Sequence, residues 1–72
     1  IETLQFHIKE ANKMTSKPLS QLKLKKGVLI AAIIRKGKTI FPTGEDMLEV
    51  GDKLLVTTLL PNITKIYDLI AR

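Results

Sequence analysis

Val28-Leu29-Ile30-Ala31-Ala32-Ile33-Ile34 is the longest apolar run of the chain. It has the length of a strand and falls well short of the roughly 18 to 20 apolar residues of a membrane span. With no polar alternation, it reads as a strand buried on both faces. The flanks agree. Arg35-Lys36-Gly37-Lys38 follows, and Gly37 supplies the positive φ that a tight hairpin wants. Lys38 to Phe41 is then the return strand, closed by Pro42. Upstream, Gly27 ends a section that carries the basic run Lys23, Lys25 and Lys26.

Further out, Thr3 to Ile8 alternates, with Leu4, Phe6 and Ile8 on one side and Thr3, Gln5 and His7 on the other. That period of two predicts a strand with one wet face. Lys9 to Lys17 is a polar connection. Ser16-Lys17-Pro18 has the form of a helix start, with Ser16 as N-cap and proline tolerated in the first turn. Leu19 and Leu22 would both tuck inward from it. Downstream, Thr43 to Asp52 is a turn-rich acidic connection, and Lys53 to Thr58 is another strand. Pro61-Asn62 opens a segment in which Ile63, Ile66, Tyr67 and Ile70 follow the i, i+3, i+4, i+7 spacing of a helix stripe.

The order is that of one α+β domain spanning residues 1–72. Its core is a small, mostly antiparallel sheet of about four strands, with a short helix and a C-terminal helix. Four short strands make no two-sided core, so a strand apolar on both faces calls for cover from a second chain. Size points the same way, since domains this small bury only about 60% of their unfolded surface and commonly lean on disulfides, metals or partners. Cysteine is absent from the 72 residues and histidine occurs once. Disulfides, thiol catalysis and cysteine-based zinc sites are thereby excluded. The chain opens at Ile1, which suggests a piece of a longer polypeptide.

Twelve Lys and Arg against seven Asp and Glu leave a formal charge of +5. Four of the acids, Glu45, Asp46, Glu49 and Asp52, crowd one stretch, but their spacing is not that of a calcium loop. They read as turn formers. Lys23, Lys25 and Lys26, and again Arg35, Lys36 and Lys38, form basic groups of the kind that attracts phosphate in nucleic acids, lipid headgroups or nucleotides. Three aromatic residues make a poor base-stacking platform, and no nucleic-acid partner is expected. His7 reads as a surface residue. No GxSxG elbow, GxGxxG loop or P-loop is present. No catalytic set can be assembled, and the chain is not expected to be an enzyme.

The segment from Ser16 to Val56 resembles the C-terminal domain of the TrkA family, the RCK-C domain of regulators that gate bacterial potassium transport. The resemblance rests on Lys17-Pro18-Leu19-x-Gln21-Leu22, on Val28 to Arg35, and on Gly37 and Ile40. It continues through Pro42-x-Gly44-Glu45-Asp46-x-Leu48-x-x-Gly51-Asp52-x-Leu54-Leu55-Val56. The last stretch is similar along its length to the family pattern P-x-G-[DE]-x-x-[LI]-x-x-G-D-x-[LV]-[LV]-[VI]. Where the family often has Gly-Lys-x-Leu, this chain has Ser16-Lys17-Pro18-Leu19.

The resemblance implies a cytoplasmic regulatory domain at the inner face of the cell membrane, homodimeric and coupled to the pore subunit of a potassium transporter. It implies no cofactor within this domain, since NAD or ATP would belong to an N-terminal domain outside these residues. In some relatives the two-fold groove between paired domains binds cyclic di-AMP. The positions that would serve here are Ile33, Ile34, Arg35, Lys38, Ile40 and Pro42, with Arg35 as the fork for phosphate. Two other readings compete: a purely structural dimerisation module of a cation transporter or antiporter regulator, and a small basic DNA-binding dimer.

Overall fold

The computed structural model describes residues 2–71. Four strands, β1 (Glu2–His7), β2 (Val28–Arg35), β3 (Lys38–Ile40) and β4 (Lys53–Thr58), form one sheet in the order β1-β4-β2-β3. All three pairings are antiparallel. The strands lie where apolar patterning puts them. On β1 the alternation places Leu4 opposite Val56 and Phe6 opposite Leu54, so its apolar side joins the buried side of β4.

The decisive feature of β2 is a bulge. Val28, Leu29 and Ile30 pair with Thr58, Thr57 and Val56, but the next pairs are Ala32 with Leu55, Ile33 with Leu54 and Ile34 with Lys53. One residue too many therefore sits on β2 around Ala31. In a regular strand Ile30 and Ile33 would point to opposite faces, because side chains alternate. The extra residue resets the phase, and both isoleucines enter the core beside Leu54 and Val56. Ile8, Met14, Leu48, Ile63 and Leu69 complete the buried cluster from outside the strands. The core thus lies on one face of the sheet, beneath the connections and the C-terminal segment.

Within one chain, therefore, only one face of β2 is covered by the core. Leu29 is 61% exposed, and Ile34 and Leu55 stand outside the packed core. The continuous apolar run reflects the bulge on one side and an uncovered face on the other.

The helices also differ from expectation, because every helical element among the described residues is a short 3-10 turn: Lys13–Thr15, Leu19–Gln21 and Ile66–Leu69. The first lies inside the stretch that reads as a plain connection. There Asn12 Oδ1 accepts from the Met14 amide at 2.7 Å and drives Met14 into the core. Ser16 is not an N-cap; it closes that first turn, donating its hydroxyl to the Lys13 carbonyl at 2.9 Å. Pro18 leads into the second turn, whose Leu19 and Ser20 amides bond to the Asp46 and Gly44 carbonyls, both at 2.9 Å.

The C-terminal stripe does not become a helix. Asn62 takes a positive φ of 64°, and the Asp68 carboxylate gathers the Thr64 and Lys65 amides at 3.0 and 2.9 Å. Leu24 and Ile70 form a bridge, the Lys25 amide donates to the Leu69 carbonyl at 2.9 Å, and the Ala71 amide donates to the Lys23 carbonyl. Long-range pairing at Leu69–Ala71 limits the segment to the single 3-10 turn Ile66–Leu69 where its local spacing favours a longer helix. Ile63, Ile66 and Ile70 of the stripe still face the core, but Leu69 is buried in place of Tyr67, which is exposed.

The β2–β3 hairpin closes through Lys36 and Gly37, with φ of 52° and 78°. Two successive positive φ values are those of a type I′ turn, where asparagine at the first position is favoured over lysine. Lys36→Asn is expected to raise stability by about 0.5 to 1 kcal/mol, read as a higher denaturant midpoint at an unchanged m-value. An unchanged midpoint would refute this account of the turn.

Candidate functional site

Two features stand out: a half-buried ion pair at the end of β2 and the uncovered face of the sheet. The first follows from the bulge. Beyond it the register of β2 and β4 pairs Ile34 with Lys53, so the next opposed pair is Arg35 and Asp52. Without the extra residue Arg35 would oppose Gly51. The guanidinium meets the carboxylate in a two-point fork: Nε donates to Oδ1 and Nη2 to Oδ2, both at 2.9 Å. Nη2 also donates to the Met47 carbonyl at 2.9 Å, and Nη1 lies 3.1 Å from the Glu49 carboxylate. From the other side the Glu49 amide donates to Asp52 Oδ2 at 2.8 Å.

Asp52 is buried, and burial by itself would push its carboxyl up. The hydrogen bonds from Arg35 and from the Glu49 amide, with the Arg35 charge, outweigh that and hold it below the usual aspartate value. The hydrogen bond to Asp52 likewise raises the Arg35 guanidinium above its ordinary value. The two backbone bonds of Ile8, its amide to the Asp52 carbonyl at 2.8 Å and its carbonyl from the Gly51 amide at 2.7 Å, tie the same turn to the end of β1. Arg35 therefore clasps the acidic connection to the sheet.

This places the expected ligand residues. Ile33 and Ile40 face each other across the hairpin, as do Arg35 and Lys38, and all four lie on the core side. Ile33 is fully buried and Ile40 packs against the core. Lys38 is exposed and Pro42 half-buried. Ile34 alone of the six is on the opposite face. Within one chain the hairpin splits the set between two faces, and the Arg35 fork is already filled by Asp52. Asp52 is the residue that sequence reading missed as its partner. The acids nearby have local duties as well, Asp46 accepting from the Thr43 amide at 2.7 Å. Among the described residues no three His, Asp or Glu side chains converge so as to hold an ion.

The second feature is the other face of the sheet. Leu29, Ala32 and Ile34 of β2 pair with Thr57, Leu55 and Lys53 of β4, and Thr3, Gln5 and His7 of β1 continue the face on the far side. Its centre is apolar and its flank neutral, with Lys53 and His7 at one end. Leu59, 70% exposed, extends the apolar area beyond the end of β4. On this face Leu29 is exposed, Ile34 and Leu55 are half-buried, and Ala32 is buried between them.

Known proteins resemble the chain at several levels. A family model described as the TrkA-C domain matches residues 4–71. The Trk system potassium uptake protein TrkA homolog 1 of Methanosarcina mazei is 29% identical over 58 residues, covering 81% of this chain and 13% of that protein. TrkA homolog 2 of the same organism is 28% identical over 58 residues with the same coverage. The chain thus spans a small part of the length of these relatives. A solved structure described as an RCK domain with cda has the same fold, with a TM-score of 0.68 at 24% identity over 79% of this chain and 80% of the other.

Proposed function

Because the chain belongs to the TrkA-C domain family, we propose that it is the two-fold regulatory domain of a potassium-uptake regulator. A second copy covers the open face of the sheet, and the pair transmits its relative orientation to a membrane pore subunit through the rest of the polypeptide. The observation that carries this reading is the uncovered face itself. A half-buried, apolar, neutral sheet centre flanked by exposed Leu29 and Leu59, in a chain of net charge +5, is the surface that a self-complementary contact would bury. The regulator is located in the cytoplasm at the inner face of the membrane, and this domain performs no catalysis.

A ligand regulates such a pair only by preferring one arrangement of its two chains over another. The groove at the two-fold axis is the place for it, with Ile34 and Leu55 as the apolar contacts offered by each chain. A cyclic dinucleotide fits because it is itself two-fold. The solved RCK domain of the same fold was determined with cda, which supports a ligand at this domain. Lys38, exposed on the hairpin, and Lys53, paired with Ile34 on the same face, are exposed cations near these positions, and Arg35 acts by holding the acidic connection in place.

Calorimetric titration of cyclic di-AMP into the chain, with molar mass followed by light scattering, tests the ligand. Saturation at one ligand per two chains is the expected result. A confirmed dimer that gives no heat would overturn the sensing role and leave a structural dimerisation module.

A further inference from the structure

The basic run that precedes β2 has no duty in the sheet face or in the Arg35 clasp. Among the described residues both salt bridges belong to Arg35, and of these lysines Lys25 alone acts through its charge on a nearby carboxylate, that of Asp68. Their placement follows from the C-terminal pairing. By bonding to Lys23 and Lys25, the Leu69–Ala71 backbone lies alongside the first 3-10 turn and leaves two adjoining clefts on its flanks. Their volumes are about 840 and 440 Å³, and both are bordered by Lys13, Ile70 and Ala71. The larger adds Lys25 and Tyr67, and the smaller adds Lys17 and Lys23. Four lysines therefore rim the two clefts, which share Ile70 and Ala71 in their walls.

Two details give the clefts a chemistry. Tyr67 is 54% exposed in a chain with only three aromatic residues, and its ring borders the larger cleft. Asp68, the acid in that wall, has its Oδ2 occupied by the Thr64 and Lys65 amides, which hold it in its charged form, and its charge is offset by Lys25. None of Glu45, Asp46, Glu49 or Asp52 borders either cleft. A cationic rim, a free aromatic face and a size within the range of small-molecule sites suit an anion with a planar ring.

We propose that the larger cleft binds a nucleoside polyphosphate, its phosphates held by Lys13 and Lys25 and its base laid against Tyr67. Ammonium groups bind phosphate oxygens through charge-assisted hydrogen bonds, and an aromatic ring accepts any base on its face. Lys17 and Lys23 extend the positive field into the smaller cleft and draw the ligand in. The site shares no residue with the open sheet face, so it stands or falls apart from the dimer.

The test is a titration of ATP, and separately of inorganic triphosphate, into the nitrogen-15-labelled chain at low salt, followed by amide shifts. ATP is expected to saturate shifts at Lys13, Lys25, Tyr67 and Ala71 with a dissociation constant below about 1 mM. In Lys13→Gln/Lys25→Gln both ligands should bind about tenfold more weakly, as expected when two phosphate contacts are lost. Tyr67→Ala should weaken ATP about fivefold or more while leaving triphosphate unchanged. The substituted side chains are exposed or half-buried, so the variants should keep the parent spectrum elsewhere. No saturable shift with ATP, shifts confined to the sheet face, or undiminished ATP binding in the double lysine variant would each overturn the proposal.

Discussion

Arg35→Leu is expected to lower the stability of the domain by about 3 kcal/mol, because it strands the buried Asp52 carboxylate opposite an apolar group. A chain of this length has a total stability on the order of 4 to 11 kcal/mol, so the loss is a large share. It should appear as a fall of roughly 12 to 24 °C in Tm. Glu49 touches the same guanidinium but is largely exposed. Glu49→Gln should therefore cost no more than about 0.5 kcal/mol. Adding Asp52→Asn to Arg35→Leu removes the stranded charge and keeps an acceptor for the Glu49 amide. That double variant should be more stable than the sum of the two single changes by about 1 kcal/mol or more.

The pH dependence has a definite sign. The Asp52 carboxyl lies below its unfolded value, so the unfolded chain binds the extra proton as pH falls. The stabilisation is complete above about pH 4 and is lost as pH drops through the lower folded value. Asp52→Asn should flatten that acid limb. A chain in which Arg35→Leu and Glu49→Gln were equally mild would contradict the clasp.

Leu55→Glu is expected to turn a dimer into a monomer without unfolding it, whereas Leu54→Glu, one residue away, should unfold the chain. The difference is the pleat. Leu54 is fully buried in the core, and a carboxylate there has no partner. Leu55 sits at the centre of the open face opposite Ala32, where a charge is harmless in one chain but must be desolvated when two copies meet. Leu55→Glu should raise the dimer dissociation constant by about a hundredfold or more. Light scattering reads the mass and thermal unfolding reads the fold. A Leu55→Glu variant that remains dimeric would remove the sheet face as the interface.

The strands were legible in the sequence because they follow simple periods. Thr3 to Ile8 alternates and Gly37 marks the hairpin, and the strands lie at those places. The bulge at Ala31 was not legible: nothing in Ile30-Ala31-Ala32-Ile33 separates a shifted register from a regular one. Yet that shift decides which isoleucines enter the core and sets Arg35 against Asp52 rather than Gly51. Both charges were visible, Arg35 as a fork for phosphate and Asp52 as part of a turn, but their meeting depends on two strands in register. The C-terminal segment failed for the opposite reason. Its spacing Ile63, Ile66, Tyr67, Ile70 satisfies a helix, while pairing of Leu69 to Ala71 with Lys23 to Lys25 over more than forty residues of chain overrides local preference. Family likeness, carried by residues such as Gly44 and Gly51-Asp52, was the part of function that the sequence supplied most directly.

The most direct test of the account is the molar mass of the unaltered chain, measured by light scattering over a dilution series down to roughly 10 µM. The account predicts twice the 8.1 kDa of one chain, falling to a single chain when Leu55 is replaced by glutamate. A mass of 8.1 kDa for the unaltered chain throughout the series would contradict it.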